Sequence, residues 1–416
     1  MVPWLFQKEI EIPEEWEVRK LNTISKIIDS LHSTPKYSEK GYSMVRSTDI
    51  KYGNLNLENT LRVSKEVFEE FTKKYLPKKM DILMSRVGTY GVVSYVNTNE
   101  HFCLGQNTVI INSHMKYFLY LILSSSLSKN QIDVFVDGSS QKTITLKNIQ
   151  KLKILYPPLP EQQQIASILS NVDNLIQNTD KLIEKTTRLK KGLMQELLTR
   201  GIGHTKFKKV PWLFGKEIEI PEGWENVDIG CVADKLLSGG TPSTTIPEYW
   251  DGNIPWTKGA VLTTSNTTKG ERFISELGLE NSSTSIIPKD NLLVVSRVSI
   301  GNVSINKINI AINQDITAVI LNKTICLTEF LYWNLLHTLR ILVSFGQGTT
   351  IQGFTRNDLS SHKVLLPPLS EQQQIASILS NTDEKIQSYK RYKEKLQRLK
   401  KSLMQKLLTG EVRVTV

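Results

Sequence analysis

The sequence predicts a mixed α/β (α+β) chain: two globular domains separated by a pair of long, antiparallel, coiled-coil-like helices, with the whole related by an internal pseudo-twofold repeat. Three observations predict it. First, VPWLFQKEIEIPEEWE at Val2 returns as VPWLFGKEIEIPEGWE at Val210 with 14 of 16 positions identical. Second, PPLPEQQQIASILSN at Pro157 returns as PPLSEQQQIASILSN at Pro367, and KKGLMQELLT at Lys190 as KKSLMQKLLT at Lys400, with 14 of 15 and 8 of 10 identical. Repetition at such spacing means two copies of one unit. Third, the intervening middles, 18–156 and 226–366, are nearly equal in length yet share only islands. Near-identical ends imply a shared docking role for each copy, and divergent middles imply that each copy reads something different.

In chain order, residues 1–156 form the first domain, 157–200 the central long helix, 201–366 the second domain, and 367–416 the C-terminal long helix and tail. The middles carry short β-branched runs (Thr108 to Asn112, Leu292 to Val295, Thr317 to Leu321) that predict strands, and apolar stretches from Tyr117 and Thr328 that predict helices. Pro157-Pro158 and Pro367-Pro368 each close off a helix, so each long helix starts after them, with Glu161 and Glu371 in the first turn facing the helix dipole. Heptad spacing places Ile165, Ile168, Val172, Leu175, Leu182, Leu189 and Leu193 on one seam, interrupted by Thr179 and Thr186. The second seam holds Ile375, Ile378, Tyr389, Tyr392, Leu396, Leu399 and Leu403. An apolar stripe of this length must be buried, and the duplicate stripe is the nearest cover. Each helix of about 39 residues would rise roughly 58 Å.

Lys plus Arg number 52 against 41 Asp plus Glu, a net charge of +11, which points to a polyanionic partner such as nucleic acid. The excess is uneven: +5 over 1–156, +1 over 157–200, zero over 201–366 and +5 over 367–416. A neutral second domain therefore needs a local basic patch to bind DNA. The candidate DNA contacts lie in polar, Gly-containing loops and at strand ends: Arg86, Thr89, Gln106, Ser139, Gln141 and Lys142 in the first copy, and Lys258, Arg297, Gln314, Gln347, Thr349 and Gln352 in the second. Arginine forks suit guanine or phosphate, and glutamine amides suit adenine. Arg86 and Arg297 occupy matching motifs, SRVGTYG and SRVSIG, the second a residue shorter. Pairing with a local acid is the bland alternative for either arginine.

Several classes are excluded. There is no P-loop and no dinucleotide-type glycine motif. Tyr156-Pro157-Pro158-Leu159 and its repeat lack the carboxamide and aromatic that an amino-methyltransferase motif requires. His101 and Cys103 alone do not make a zinc site, no nucleophile triad is visible, and no catalytic or metal residue is expected. Three scattered cysteines argue against a disulfide framework and for a reducing cytoplasm. Neither a leader nor a membrane span is expected, since the amino terminus lacks an apolar core segment and the longest apolar run is Tyr117 to Leu123.

The repeated Pro-Pro-Leu-x-Glu-Gln-Gln-x-Ile-Ala opening, the Leu-Met-Gln-x-Leu-Leu-Thr close and the Pro-x-x-Trp entry to each domain resemble the specificity subunit of type I restriction–modification enzymes. The resemblance implies two target-recognition domains, each reading half of a bipartite sequence in double-stranded DNA. It implies helices that set the spacing and dock two methyltransferase (modification) subunits, the core and docking positions being Ile165, Ile168, Leu175, Leu189, Ile375, Ile378, Leu396 and Leu403. No cofactor is expected on this chain; S-adenosylmethionine would belong to the modification subunits, and ATP and Mg to restriction subunits. The alternative is a two-domain helical adaptor for protein or glycan.

Overall fold

A computed structural model describes residues 2–4, 9–136, 142–298, 300–345 and 353–415. The chain forms two compact units: unit 1 is Met1–Asp180 with Arg391–Val416, and unit 2 is Lys181–Lys390. Each unit thus combines one globular middle with a stretch of both long helices, and the unit limits fall inside the helices.

Unit 1 holds two four-stranded sheets. In the first, Lys26–Asp29, Thr108–Asn112, Ile82–Ser85 and Val93–Tyr95 are neighbours in that order, all antiparallel. In the second, Phe102–Leu104 runs parallel to Tyr42–Val45, which is followed by Leu61–Val63 and Tyr37–Ser38. Unit 2 repeats the frame with Ala233–Ser238, Ile316–Leu321, Leu292–Val295, Val303–Asn306 and Asn266–Thr267, and with Arg272–Ile274, Ile254–Thr257, Ile310–Ile312 and Ser285–Ile287. Parallel pairing needs a long crossover, and in both units the chain supplies one between the paired strands. A further ribbon joins the entry of each domain to its exit: Glu17–Lys20 with Lys153–Tyr156, and Glu225–Asp228 with Lys363–Leu366.

The long helices are continuous over Leu159–Leu197 and Leu369–Leu407. Within unit 1, Asp173 takes Lys400 and Asp180 takes Lys393, both at 2.6 Å; within unit 2, Asp383 takes Lys190 at 2.6 Å. As the residue number rises on one helix it falls equally on the other, which is antiparallel packing. Ile165 and Leu169 join Trp16, Phe118, Leu407 and Leu408 in the unit 1 core. Ile375 and Leu379 join Trp224, Phe330, Leu197 and Leu198 in unit 2.

The seam itself differs from the expected one. The covered positions are 165, 169, 172, 176, 179, 183, 186, 190, 193 and 197 on one helix, and 375, 379, 382, 386, 389, 393, 396, 400, 403 and 407 on the other, an unbroken 4–3 spacing. Ile168, half-buried, packs against the unit 1 core, whereas Leu175, Leu189 and Ile378, 45%, 56% and 37% exposed, are not seam residues. Ile165, Ile375, Leu396 and Leu403 are. Two features disguised the seam. Thr179, only 3% exposed, donates its hydroxyl to the Leu175 carbonyl. Lys190, Lys393 and Lys400 lay their aliphatic stems along it while their ammonium groups reach aspartates on the facing helix.

Candidate nucleic-acid interface

At the C-terminal end of each parallel strand pair the two units build the same small arrangement. In unit 1 the Gly105 amide donates to the Val45 carbonyl, and Gln106 Nε2 then donates to Thr34 Oγ1 at 2.7 Å. In unit 2 the Asn313 amide donates to the Thr257 carbonyl, and Thr241 Oγ1 donates to Gln314 Oε1 at 2.6 Å. Both threonines precede proline, so a Thr-Pro corner fixes a partly or fully exposed glutamine amide in each copy. The Thr34-Pro35 and Thr241-Pro242 dipeptides are the sequence signal of these corners. Gly239 and Gly240 make the unit 2 corner feasible: a Cβ on the first would collide with the Ile312 carbonyl, and one on the second with Ser283.

In each unit the first strand of the matched parallel pair is followed by a basic, paired residue, after Val45 in unit 1 and after Thr257 in unit 2. Arg46 bonds Asp49 through Nε and Nη2 at 3.1 and 3.2 Å, and its pKa is raised first by that hydrogen bond. Lys258 takes the same seat in unit 2 and pairs with Glu271 at 2.7 Å.

The two arginines of the SRV motifs do not correspond. Arg86 receives the chain by donating its amide to the Asn107 carbonyl and accepting from the Ile144 amide. In unit 2 those bonds are made by Ser296, with the Asp315 carbonyl and the Phe354 amide. Gly91 donates to the Ser85 carbonyl as Gly301 does to Val295, so the two turns have equal length and the arginine is displaced by one residue. On an extended chain one residue reverses the face. Arg86 Nη1 therefore turns in to Asp29, at 2.8 and 3.0 Å, with its side chain 13% exposed. Arg297 is exposed and has no ion pair or hydrogen-bonding partner among the described residues. Strand pairing also places Ser238 in unit 2 where Asp29 stands in unit 1.

Thr89 and Lys142 are exposed, and a bridge between Val87 and Thr143 sets the Lys142 segment beside the Arg86 strand. Ser139, Gln141, Gln347, Thr349 and Gln352 lie outside the described residues. The structure thus ties Gln106 and Gln314 to matched corners, and Lys142 to the Arg86 strand. Lys258 is tied to Glu271, and Arg297 has no partner among the described residues. No cluster of His, Cys, Asp and Glu suited to a metal occurs among the described residues, nor does a helix long and apolar enough to cross a membrane.

The repeated ends serve a different site. Trp16 Nε1 donates to Glu161 Oε2 at 2.9 Å, and Trp224 Nε1 to Glu371 Oε2 at 3.0 Å, latching each domain entry to the first turn of its helix. Arg413 adds two donors to Glu161, whereas Glu371 takes the Ile202 amide and His204. Hydrogen bonds to Glu161 and Glu15 push the Arg413 guanidinium further up.

Two copies of one recognition frame, with different side chains at matching tips and a pair of antiparallel helices, define a bivalent recognition protein. The sequence matches the type I restriction modification DNA specificity domain twice, over residues 13–188 and 221–398. The chain belongs to that family and is a type I restriction–modification DNA specificity subunit with two recognition domains. It is 30% identical over 417 residues to a Methanocaldococcus jannaschii chain assigned to the type I restriction enzyme MjaX as its specificity subunit, covering 97% of this chain and 95% of that one. The type I restriction enzyme MjaVIII specificity subunit of the same organism is 28% identical, over 97% and 95% of the two chains. The fold is similar to the crystal structure of a type I restriction–modification S subunit from M. genitalium: TM-score 0.61, 17% identity, 98% of this chain and 99% of that one.

Proposed function

We propose that each recognition domain reads one half of a bipartite target in double-stranded DNA, and that the helix pair sets the spacing and docks two modification subunits. One observation carries the reading: the two units share a central strand frame with matching pairings, while the residues at its tips diverge. Arg86 is paired with Asp29 in unit 1, and Arg297 has no partner among the described residues in unit 2. A shared frame with different tips is what two different half-sites require.

The helices also suit docking. Beside the seam, unit 1 exposes Leu175, Tyr392 and Leu399, and unit 2 exposes Leu182, Leu189 and Ile378. An apolar stripe next to an already filled seam fits the amphipathic helix of a partner. The chemistry would lie with those partners: S-adenosylmethionine and adenine methylation on the modification subunits, and ATP and Mg on restriction subunits, in the cytoplasm. The free thiols of Cys103, Cys231 and Cys326 agree with a reducing compartment.

The deciding experiment maps methylated adenines across the genome with and without this gene, alongside salt-titrated DNA binding of the complex. A split motif that vanishes on deletion, with affinity falling steeply as salt rises, is expected. Binding indifferent to both salt and sequence would overturn the reading.

A further inference from the structure

Unit 2 carries a second built feature on the loop that fixes Gln314. That loop runs from Gly239 through Thr241 to Ser243. The Gly240 carbonyl accepts from Trp256 Nε1 at 3.1 Å, and the Ser243 carbonyl accepts from Trp250 Nε1 at 3.0 Å. The two indoles meet edge to face with centroids 5.1 Å apart. On the outer one lies Arg272, its guanidinium carbon 3.7 Å from the Trp250 ring centroid. Arg272 is exposed, sits on the edge strand Arg272–Ile274, and has no carboxylate or hydrogen-bonding partner among the described residues. The acid beside it, Glu271, is occupied by Lys258.

A guanidinium held 3.7 Å over an indole is restrained by the cation–π contact, and its N–H edge, unclaimed among the described residues, remains available to a partner. That edge matches the paired O6 and N7 acceptors of guanine, and little rotamer freedom remains to be lost on binding. The Gln314 amide, held by Thr241 of the same loop, adds a second oriented polar group. Residues 201–366, the globular part of this unit, carry no net charge, so a base contact made there relies on a few placed cations rather than on a diffuse field. Among the described residues, the matching strands of unit 1 hold no such pair. Strand pairing sets Leu61 opposite Met44 where Arg272 stands opposite Trp256, and Leu61 has no charge to offer.

We propose that Arg272, held over the Trp250 ring, is the residue through which the second recognition domain demands a guanine in its half-site. The inference rests on the DNA-reading function above and names a base contact within it.

The test uses the full chain co-expressed with its modification subunits, with methylated-adenine mapping and DNA-binding titrations as readouts. Arg272→Ala should relax one fixed guanine in one half of the motif, lowering its preference over other bases roughly 10- to 100-fold, and leave the other half unchanged. Arg272→Lys, which keeps the charge but loses the planar fork, should relax the same position. Trp250→Leu should do so partially, with Arg272 intact. A uniform loss of affinity with the motif unchanged would make Arg272 a phosphate contact and overturn the proposal, as would variants indistinguishable from the parent. If the parent complex itself bound DNA without a split motif, the broader reading would fail instead, and the two failures are separable.

Discussion

Trp16 and Trp224 show what the repeated ends are for at the scale of single residues. Each indole donates to a glutamate in the first helical turn, and Glu161 is only 2% exposed. Near-identity of the ends therefore has an internal cause, the latch, in addition to any shared docking role. Trp16→Phe removes a donor from a buried carboxylate and should cost about 1–3 kcal/mol in denaturant unfolding. His362 makes unit 2 sensitive to acid. It is buried, with Thr338 as its hydrogen-bonding partner, and burial pushes its pKa down to about 4. A depressed histidine is neutral when folded but takes up a proton when unfolded below about 6.5, so stability is full above that pH and falls as pH drops towards 4. The loss should reach roughly 3 kcal/mol, and His362→Gln should flatten the decline in unfolding midpoints measured from pH 7 to 4. Burial pushes the Cys103 and Cys326 thiols up to about 12, whereas Cys231 is exposed. Thiol titration of the native chain should find one reactive cysteine of the three, and of the unfolded chain all three.

The helices are the elements in which sequence and structure diverge most instructively. Their existence and ends were legible from Pro157-Pro158, Pro367-Pro368 and the apolar period. The face was not, because two stripes one residue apart both carry leucine and isoleucine, and the true seam contains threonines and lysines. Only the facing aspartates reveal why Lys190 and Lys400 belong there. The two stripes should separate by mutation. Leu169→Ala, in the seam and fully buried, should destabilise unit 1 by about 2–5 kcal/mol. Leu189→Ser on the exposed stripe should leave the melting temperature nearly unchanged yet weaken assembly with a modification subunit in size-exclusion or pull-down measurements. Equal effects of the two substitutions on stability would contradict the assignment of faces. At the recognition tips, matching glutamines were legible because their flanking strands align. The arginines misled, because a shared SRV string hid a one-residue displacement that only hydrogen-bond register exposes.

At the scale of the whole molecule, the duplication makes a spacing test available that leaves each unit untouched. The limits of the two units fall after Asp180 and after Lys390, inside the two long helices. Seven residues added at both points lengthen each helix by about 10 Å and keep the heptad phase. Every contact named here for unit 1 or unit 2 lies wholly on one side of those points, so neither recognition frame, neither latch and none of the Asp–Lys pairs is altered. Seven residues added at one point alone leave the seams mismatched. The latches at Glu161 and Glu371 oppose the slip that would restore the match. The doubly extended chain, assembled with its modification subunits and offered DNA with a graded series of spacers, should favour spacers longer by up to about three base pairs. The singly extended chain should assemble poorly. An unchanged spacer preference in the doubly extended chain would show that the helices do not measure the distance between half-sites.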